Sequence, residues 1–157
     1  MSEPGAGENG RVLVVDDQDI VSELVEDILV PTHEVTCTHT GAIALGLLEG
    51  EDFDVVMLDL GMPGIPGDQV AQKIRDTAPD VALVLMTGWR LRDDDARLDL
   101  FDFHLRKPLS NLDRVRDVVR RAVRLRRARR EELRIAIRNA CDCADNASRS
   151  RSHSSGF

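Results

Sequence analysis

Hydrophobic residues along this chain alternate between two spacings. Val12 to Val15 is an unbroken apolar run, as in a strand buried on both faces. Directly after it, Ile20/Val21, Leu24/Val25 and Ile28/Leu29 recur every four residues, the stripe of a helix lying on a sheet. Pro31 ends that helix. Glu34 to Cys37 reads as a second strand, Ala42 to Leu48 as a second helix closed by Gly50, and Phe53 to Leu58 as a third strand. Gly61, Pro63, Gly64, Pro66 and Gly67 crowd one loop, with Met62 as packing; Val70, Ile74 and Ala78 then stripe a third helix that Pro79 stops. Val81 to Met86 is apolar throughout, as a central parallel strand is. Residues 90–100 are expected to form a short helix and Phe101 to Leu105 a fifth strand. From Ser110 a long helix begins, with Leu112, Val115, Val118/Val119, Ala122 and Leu125 predicted to face the core. Strand and helix alternate five times, which predicts an α/β fold with right-handed crossovers and a parallel sheet covered on both faces. No internal repeat is evident.

Composition narrows the picture. A chain of 157 residues, 42% hydrophobic and 31% charged, suits one globular domain with a tail and can bury a core. The first ten residues lack a basic and then apolar leader pattern, and the longest apolar run, Val81 to Met86, is far below the roughly 18 residues that span a bilayer. A soluble, cytoplasmic protein with no membrane partner is expected. Cys37 falls in a predicted strand as a small hydrophobe; Cys141 and Cys143 lie in a polar region without the further ligands of a zinc site. His33, His39 and His153 are expected to be exposed and without function.

Charge is distributed unevenly. The net charge is -7, yet residues 106–138 hold 13 Arg or Lys against 4 Asp or Glu, so an acidic domain carries a basic extension. Seven of the eleven residues from Arg120 to Arg130 are arginine. The core-facing stripe stops near Leu125, so the helix is expected to project. Leu133, Ile135 and Ile137 give it apolar surface, but Arg126 and Arg129 occupy positions a heptad seam would want, against a simple coiled coil. No aromatic stacking residues or DNA-reading motif accompany the arginines, so a solvated helix is preferred over nucleic-acid binding. The expected organisation is a flexible segment 1–10, a domain 11–126, an Arg-rich helical extension 127–145 and a disordered Ser- and Arg-rich tail 146–157.

The chemistry-bearing residues sit where strands end. Asp16 and Asp17 follow the first strand, Asp59 the third, Thr87 the fourth and Lys107-Pro108 the fifth. In a parallel sheet those ends lie side by side, so residues spread from 16 to 107 can share one crevice. A lone Asp ending a strand is ordinarily a turn residue, and a lone Lys-Pro a strand exit; the joint occurrence is what points to chemistry. Three carboxylates in one crevice repel, and a divalent cation with oxygen ligands, Mg2+ above all, is the usual remedy. With the Lys107 ammonium, the Thr87 hydroxyl and the Gly88 backbone N–H they describe a cradle for a phosphoryl group. A carboxylate beside such a cradle is a nucleophile whose product is an aspartyl phosphate.

The segments Val-Val-Asp16-Asp17, Val-Met-Leu-Asp59-Leu-Gly-Met-Pro63-Gly, Met-Thr87-Gly and Leu-Arg-Lys107-Pro108-Leu resemble, in order and nearly in spacing, the receiver domain of two-component response regulators. The likeness covers residues 11 to about 126. It implies a flavodoxin-like, CheY-like doubly wound sheet of five strands in the order 2-1-3-4-5. It also implies that Asp59 is the phosphoacceptor and that Asp17 and Asp59 bind Mg2+ (or Mn2+) directly, with Asp16 helping through water and the Gly61 carbonyl as backbone ligand. Thr87 is then the switch hydroxyl, Lys107 its cationic partner, and Lys107-Pro108 a cis peptide. The implied function is a phosphorylation switch that takes phosphoryl from a sensor histidine kinase or phosphotransfer protein and signals by binding a downstream protein, with a homodimer left open.

Departures from the family pattern bear on the output. Receivers usually place Tyr or Phe three residues before the lysine, where it rotates inward; here that residue is His104, with Phe103 beside it. His104 can serve as the ring, stand permanently outward or titrate. The stretch between Thr87 and Lys107 is about two residues shorter than is common, and Asp93-Asp94-Asp95 falls where a fourth helix is expected, so that helix and the dimer face it forms are in doubt. Gly61 and Trp89 stand at the positions that tune the lifetime of the phosphoryl group, and a glycine with a shielding indole predicts slow self-dephosphorylation. Rival readings are a DNA-binding regulator using the Arg-rich helix, a phosphate sink, and an aspartyl-phosphate phosphatase. The last needs a second acid two residues past the nucleophile, where Gly61 stands.

Overall fold

The computed structural model describes residues 9–151, with side chains through residue 149. Five strands, β1 (Arg11–Val15), β2 (Glu34–Thr38), β3 (Val55–Asp59), β4 (Ala82–Thr87) and β5 (Phe103–Arg106), form one parallel sheet in the order β2-β1-β3-β4-β5. The predicted fold class and strand order are both present. Helices α1 (Asp19–Leu29), α2 (Gly41–Gly50), α3 (Gly67–Thr77) and α4 (Leu112–Arg151) connect and follow the strands. The chain divides into two compact units, Met1–Arg126 and Arg127–Phe157.

The central strands β1, β3 and β4 are buried on both faces, which is why they read as continuous apolar runs, whereas the edge strands β2 and β5 are partly exposed. Alternate residues go to opposite sides. Val12, Val14, Val55, Met57, Val84 and Met86 pack with α1 and α4, whereas Leu13, Val15, Val56, Leu58, Leu83 and Leu85 pack with Val70, Ala71 and Ile74 of α3 and with Ala44 of α2. Thr40 caps α2, its hydroxyl accepting the N–H of Ile43 at 3.3 Å.

Several expectations shift. No α-helix forms between β4 and β5; a five-residue 3-10 turn, Ala96–Leu100, takes its place, capped by Asp95 accepting the N–H of Arg97 at 3.0 Å. Phe101 is buried ahead of β5 rather than within it. In α1 the outer half of the predicted stripe is exposed: Ile20 is 79% accessible, and Ser22, Val25, Ile28 and Leu29 take the inner face. Leu112, predicted to face the core, is exposed.

Arg126 is the largest correction. Expected to be a surface arginine on a projecting helix, it is only 3% accessible. Its Nε donates to Asp80 at 3.0 Å, Nη1 to Asp54 at 2.8 Å and Nη2 to Asp52 at 2.7 Å. Burial alone would favour the neutral guanidine, but three carboxylates hold the guanidinium charged and raise its pKa. These acids precede β3 and β4, at the end of the sheet opposite Asp59 and Thr87. They tie α4 across that end.

The histidines are less idle than expected. His33 Nδ1 accepts the N–H of Gly10 at 3.0 Å, which anchors the end of the segment predicted to be flexible; residues 1–8 lie outside the described residues. His153 lies outside them as well, whereas α4 runs through Arg151, into the stretch 146–157 predicted to be disordered. Cys141 and Cys143 are exposed on α4. No helix among the described residues is long and apolar enough to cross a membrane.

Candidate functional site at the C-terminal ends of the strands

The sheet brings the predicted residues together at one end. β1 delivers Asp16 and Asp17, β3 ends on Asp59, β4 ends on Thr87, and Lys107 follows β5. Asp16 is fully buried, Asp59 and Thr87 nearly so, and Asp17 is exposed. Each of the three acids offers an oxygen within 4.8 Å of the others.

Lys107 is shared by the two buried acids. Its Nζ lies 2.5 Å from Asp16 Oδ2 and 3.5 Å from Asp59 Oδ2. Asp16 Oδ1 accepts the N–H of Gln18 at 2.9 Å, while Oδ2 is buried without a directed hydrogen bond, so the lysine contact is one of charge. The Asp59 carboxyl is pushed above the usual carboxylate range, first by burial and then by the Asp16 charge, with Lys107 and the Gly61 backbone N–H opposing. Hard oxygen donors, excess negative charge and a buried oxygen lacking a directed partner fit a small divalent cation such as Mg2+.

The loops around the acids are set by close contacts. At Gly67 a side-chain carbon would run into the carbonyl oxygen of Asp59, so only glycine lets α3 begin this close to the site. Gly64 adopts a φ of 82°, in the left-handed region that suits glycine. The Thr87 hydroxyl accepts the N–H of Trp89 at 3.0 Å, and the Thr87 carbonyl accepts the N–H of Lys107 at 2.9 Å. The Lys107-Pro108 peptide is cis.

Trp89 lies over Gly61: a carbon added there would stand 3.1 Å from Trp89 Cζ2. Arg97 stacks on the indole at 5.8 Å and is itself held by Asp95 at 2.7 Å and 3.0 Å. That pairing lowers the Asp95 pKa to about 2. The His104 ring is exposed, with Nε2 3.4 Å from the carbonyl of Leu98, outside the crevice, while Phe103 packs on the core beneath Arg121.

Sequence reasoning missed three supports of this arrangement. His39 places Nδ1 3.0 Å from the carbonyl of Asp16 and Nε2 3.2 Å from Asp19. Gly67 was read as loop geometry alone, and the pairing of Asp95 with Arg97 was unforeseen. His39 and Gly67 act through contacts with other segments, which have no spacing signal, whereas Asp95 and Arg97 are two residues apart within one turn and matter through the stacking of Arg97 on Trp89.

Residues 12–117 match the family described as response regulator receiver domain. The chain is 30% identical over 126 residues to hybrid signal transduction histidine kinase L of Dictyostelium discoideum, covering 71% of this chain and 7% of that protein. It is 29% identical over 125 residues to regulatory protein AtoC of Escherichia coli, covering 77% of this chain and 27% of that one. It therefore spans only a minor part of these curated relatives. Among solved structures, response regulator protein TrrA of Thermotoga maritima, in complex with Mg(2+)-BeF, superposes with a TM-score of 0.66 at 31% identity over 71% of this chain and 97% of that one. The BeF3-activated DrrB receiver domain superposes with a TM-score of 0.65 at 27% identity, over 73% of this chain and 97% of that chain.

Proposed function

Because this chain belongs to the response regulator receiver domain family, we propose that it is a phosphorylation switch whose acceptor is the carboxylate of Asp59. The observation that carries this reading is the convergence of Asp16, Asp17 and Asp59 with Thr87 and Lys107 at one end of the sheet.

An Asp59 oxygen attacks the phosphorus of a phosphohistidine on a sensor kinase or phosphotransfer protein. The P–N bond breaks, its electrons go to the imidazole, and a mixed anhydride forms on Asp59. Attack requires the ionised carboxylate, which burial disfavours and Lys107 supports. Asp16, Asp17, Asp59 and the Gly61 carbonyl would hold Mg2+ or Mn2+, whose charge would offset that of the transferring group. The Lys107 ammonium and the Gly88 N–H supply further donors from the chain.

Thr87 then links chemistry to output. Its hydroxyl now accepts the Trp89 N–H, and turning it toward a phosphoryl oxygen gives up that bond and frees the loop after β4. Phosphorylation shifts a two-state equilibrium of this loop, and a partner protein reads the outcome. His104, with its ring outward, takes no part in the crevice. The chemistry is confined to the protein's own acquisition and loss of phosphate, in the cytoplasm where its donors present their phosphohistidines.

The test is intact mass after incubation with acetyl phosphate and Mg2+, with Trp89 fluorescence followed in parallel. One added phosphoryl group, absent in Asp59→Ala and without Mg2+, is the expected result. No modification under conditions that label a control receiver overturns the reading.

A further inference from the structure

In the second compact unit, every residue from Glu131 to Arg149 is exposed along α4. A helix exposed on all sides gains little in water, because most helical stability in proteins comes from packing an apolar face. Asn139, Asp142, Asn146 and Ser148 are weak helix formers, so local propensity does not make up the difference. An apolar face is nevertheless present. Leu133, Ile137, Ala140, Ala144 and Ala147 recur at alternating steps of four and three residues, the period of a coiled-coil seam, with Ala136 and Cys143 along one flank. Leu133 and Ile137 are 46% and 62% accessible, and no charged residue of the stretch falls on the stripe. Arg126 and Arg129, which weigh against a seam, both lie ahead of it, and Arg126 is taken up by Asp52, Asp54 and Asp80.

Size and charge along this stripe are both lopsided. The large side chains, Leu133 and Ile137, come first, and the alanines follow. In a parallel pair each residue meets its own copy, so wide layers at Leu133 and Ile137 would give way to narrow ones at Ala140, Ala144 and Ala147. Antiparallel, with Ile137 opposite Ala140, the layers set Leu133 against Ala144 and Ile137 against Ala140, then the same two in reverse. Every one of these layers then joins a large residue to a small one, which lets the helices interdigitate at an even separation. Charge favours the same direction. Residues 127–138 hold five arginines and two glutamates, +3, whereas residues 139–148 hold Asp142 and Asp145 and no cation, -2. Antiparallel pairing lays the positive half of one helix along the negative half of the other; parallel pairing lays like on like.

We propose that the helical extension is a dimerisation element: residues 131–149 pair with the same residues of a second copy as an antiparallel helix pair, with Leu133 and Ile137 seated against Ala144 and Ala140 of the other chain. The pairing is two-fold, so each copy gives and receives the same contacts and the assembly closes at two. It covers the apolar stripe and leaves Ile135, on the opposite side of the helix, in solvent. This surface lies wholly outside residues 12–117, the part of the chain that matches the receiver family, and the inference does not depend on phosphorylation of Asp59.

The test is sedimentation equilibrium of the full chain over a range of concentrations, under reducing conditions. A dimer is expected, weakened about a hundredfold by Leu133→Asp and by Ile137→Asp, which each place a charge in the seam, and unchanged by Ile135→Asp. All three positions are exposed in the single chain, so the domain stays folded, which an unshifted thermal unfolding curve confirms. Direction is read by a disulfide. The antiparallel register places Ala136 of one copy beside Cys143 of the other, so Ala136→Cys in a Cys141→Ser background, oxidised with diamide, is expected to give a covalent dimer whose peptide map joins residues 136 and 143. Residues seven apart on one helix stand roughly 10 Å apart along its axis, too far for that bond to form within a chain. A monomer at every concentration, or a dimer that Ile135→Asp weakens as much as Ile137→Asp, overturns the proposal. A dimer that yields no bond between residues 136 and 143 overturns the antiparallel pairing. A monomer that binds anionic phospholipid vesicles through Leu133 and Ile137 overturns it in favour of a lipid surface.

Discussion

Gly67→Ala would drive a methyl group into the Asp59 carbonyl, so this substitution is expected to displace the acceptor and slow phosphorylation, while Gly46→Ala, with open space around it, leaves the rate unchanged. Phosphorylation rate from intact mass distinguishes the two. Trp89 covers Gly61 beside the acceptor and is steadied by Arg97, so Trp89→Ala is expected to admit water and shorten the phosphoryl lifetime by about tenfold. Decay of the phosphorylated mass reads it, and an unchanged lifetime refutes the shielding role. Burial, reinforced by the Glu26 charge, raises the Cys37 thiol from 9.0 to about 11. A raised thiol pKa means the reactive thiolate is scarce until the pH nears that value. Alkylation at pH 8 is therefore expected to label exposed Cys141 and Cys143 first, with Cys37 reacting quickly only on unfolding. Peptide mapping of the adducts checks the order. At this scale the acids, the threonine and the lysine were legible in the sequence because their chemistry is tied to strand ends. His39 was not, since its contact with Asp16, 23 residues away, has no local pattern, and Arg97 was not, since its stacking on Trp89 depends on how the turn between β4 and β5 folds back.

Among the elements, the central strands β1, β3 and β4 were legible to within about two residues because parallel strands buried on both faces must be apolar throughout. Helix α1 was placed correctly but its bearing was misjudged. Apolar doublets mark a broad stripe without showing which half meets the sheet, and Ile20 and Leu24 ended on the outside. Between β4 and β5 the three consecutive aspartates were read as a warning against an ordered helix, and a short 3-10 turn capped by the last of them is what forms. Helix α4 depends on Arg126, whose guanidinium is buried against Asp52, Asp54 and Asp80. Removing one partner of a buried charge cluster leaves the rest uncompensated, so Arg126→Met is expected to cost about 3 kcal/mol, measured by urea unfolding. A loss below about 0.5 kcal/mol, the range of ordinary surface substitutions, would show that the cluster is not a clamp.

For the whole molecule, the boundary between the two compact units falls directly after Arg126, whose guanidinium pairs with Asp52, Asp54 and Asp80. A chain ending at Arg126 is expected to fold and accept phosphoryl, whereas one ending at Leu125 melts markedly lower; thermal unfolding of the two chains tests this. Sequence by itself determined the fold class, the strand order through its family resemblance, and the roster of groups at the strand ends. Hydrophobic period and strand-end chemistry are local properties, and both are written in consecutive residues. Tertiary structure alone decided that Lys107 sits closer to Asp16 than to Asp59, that Trp89 covers Gly61 and that Arg126 is buried. Each depends on which surfaces meet when the layers pack, and burial and charge pairing between distant segments exist only once they do.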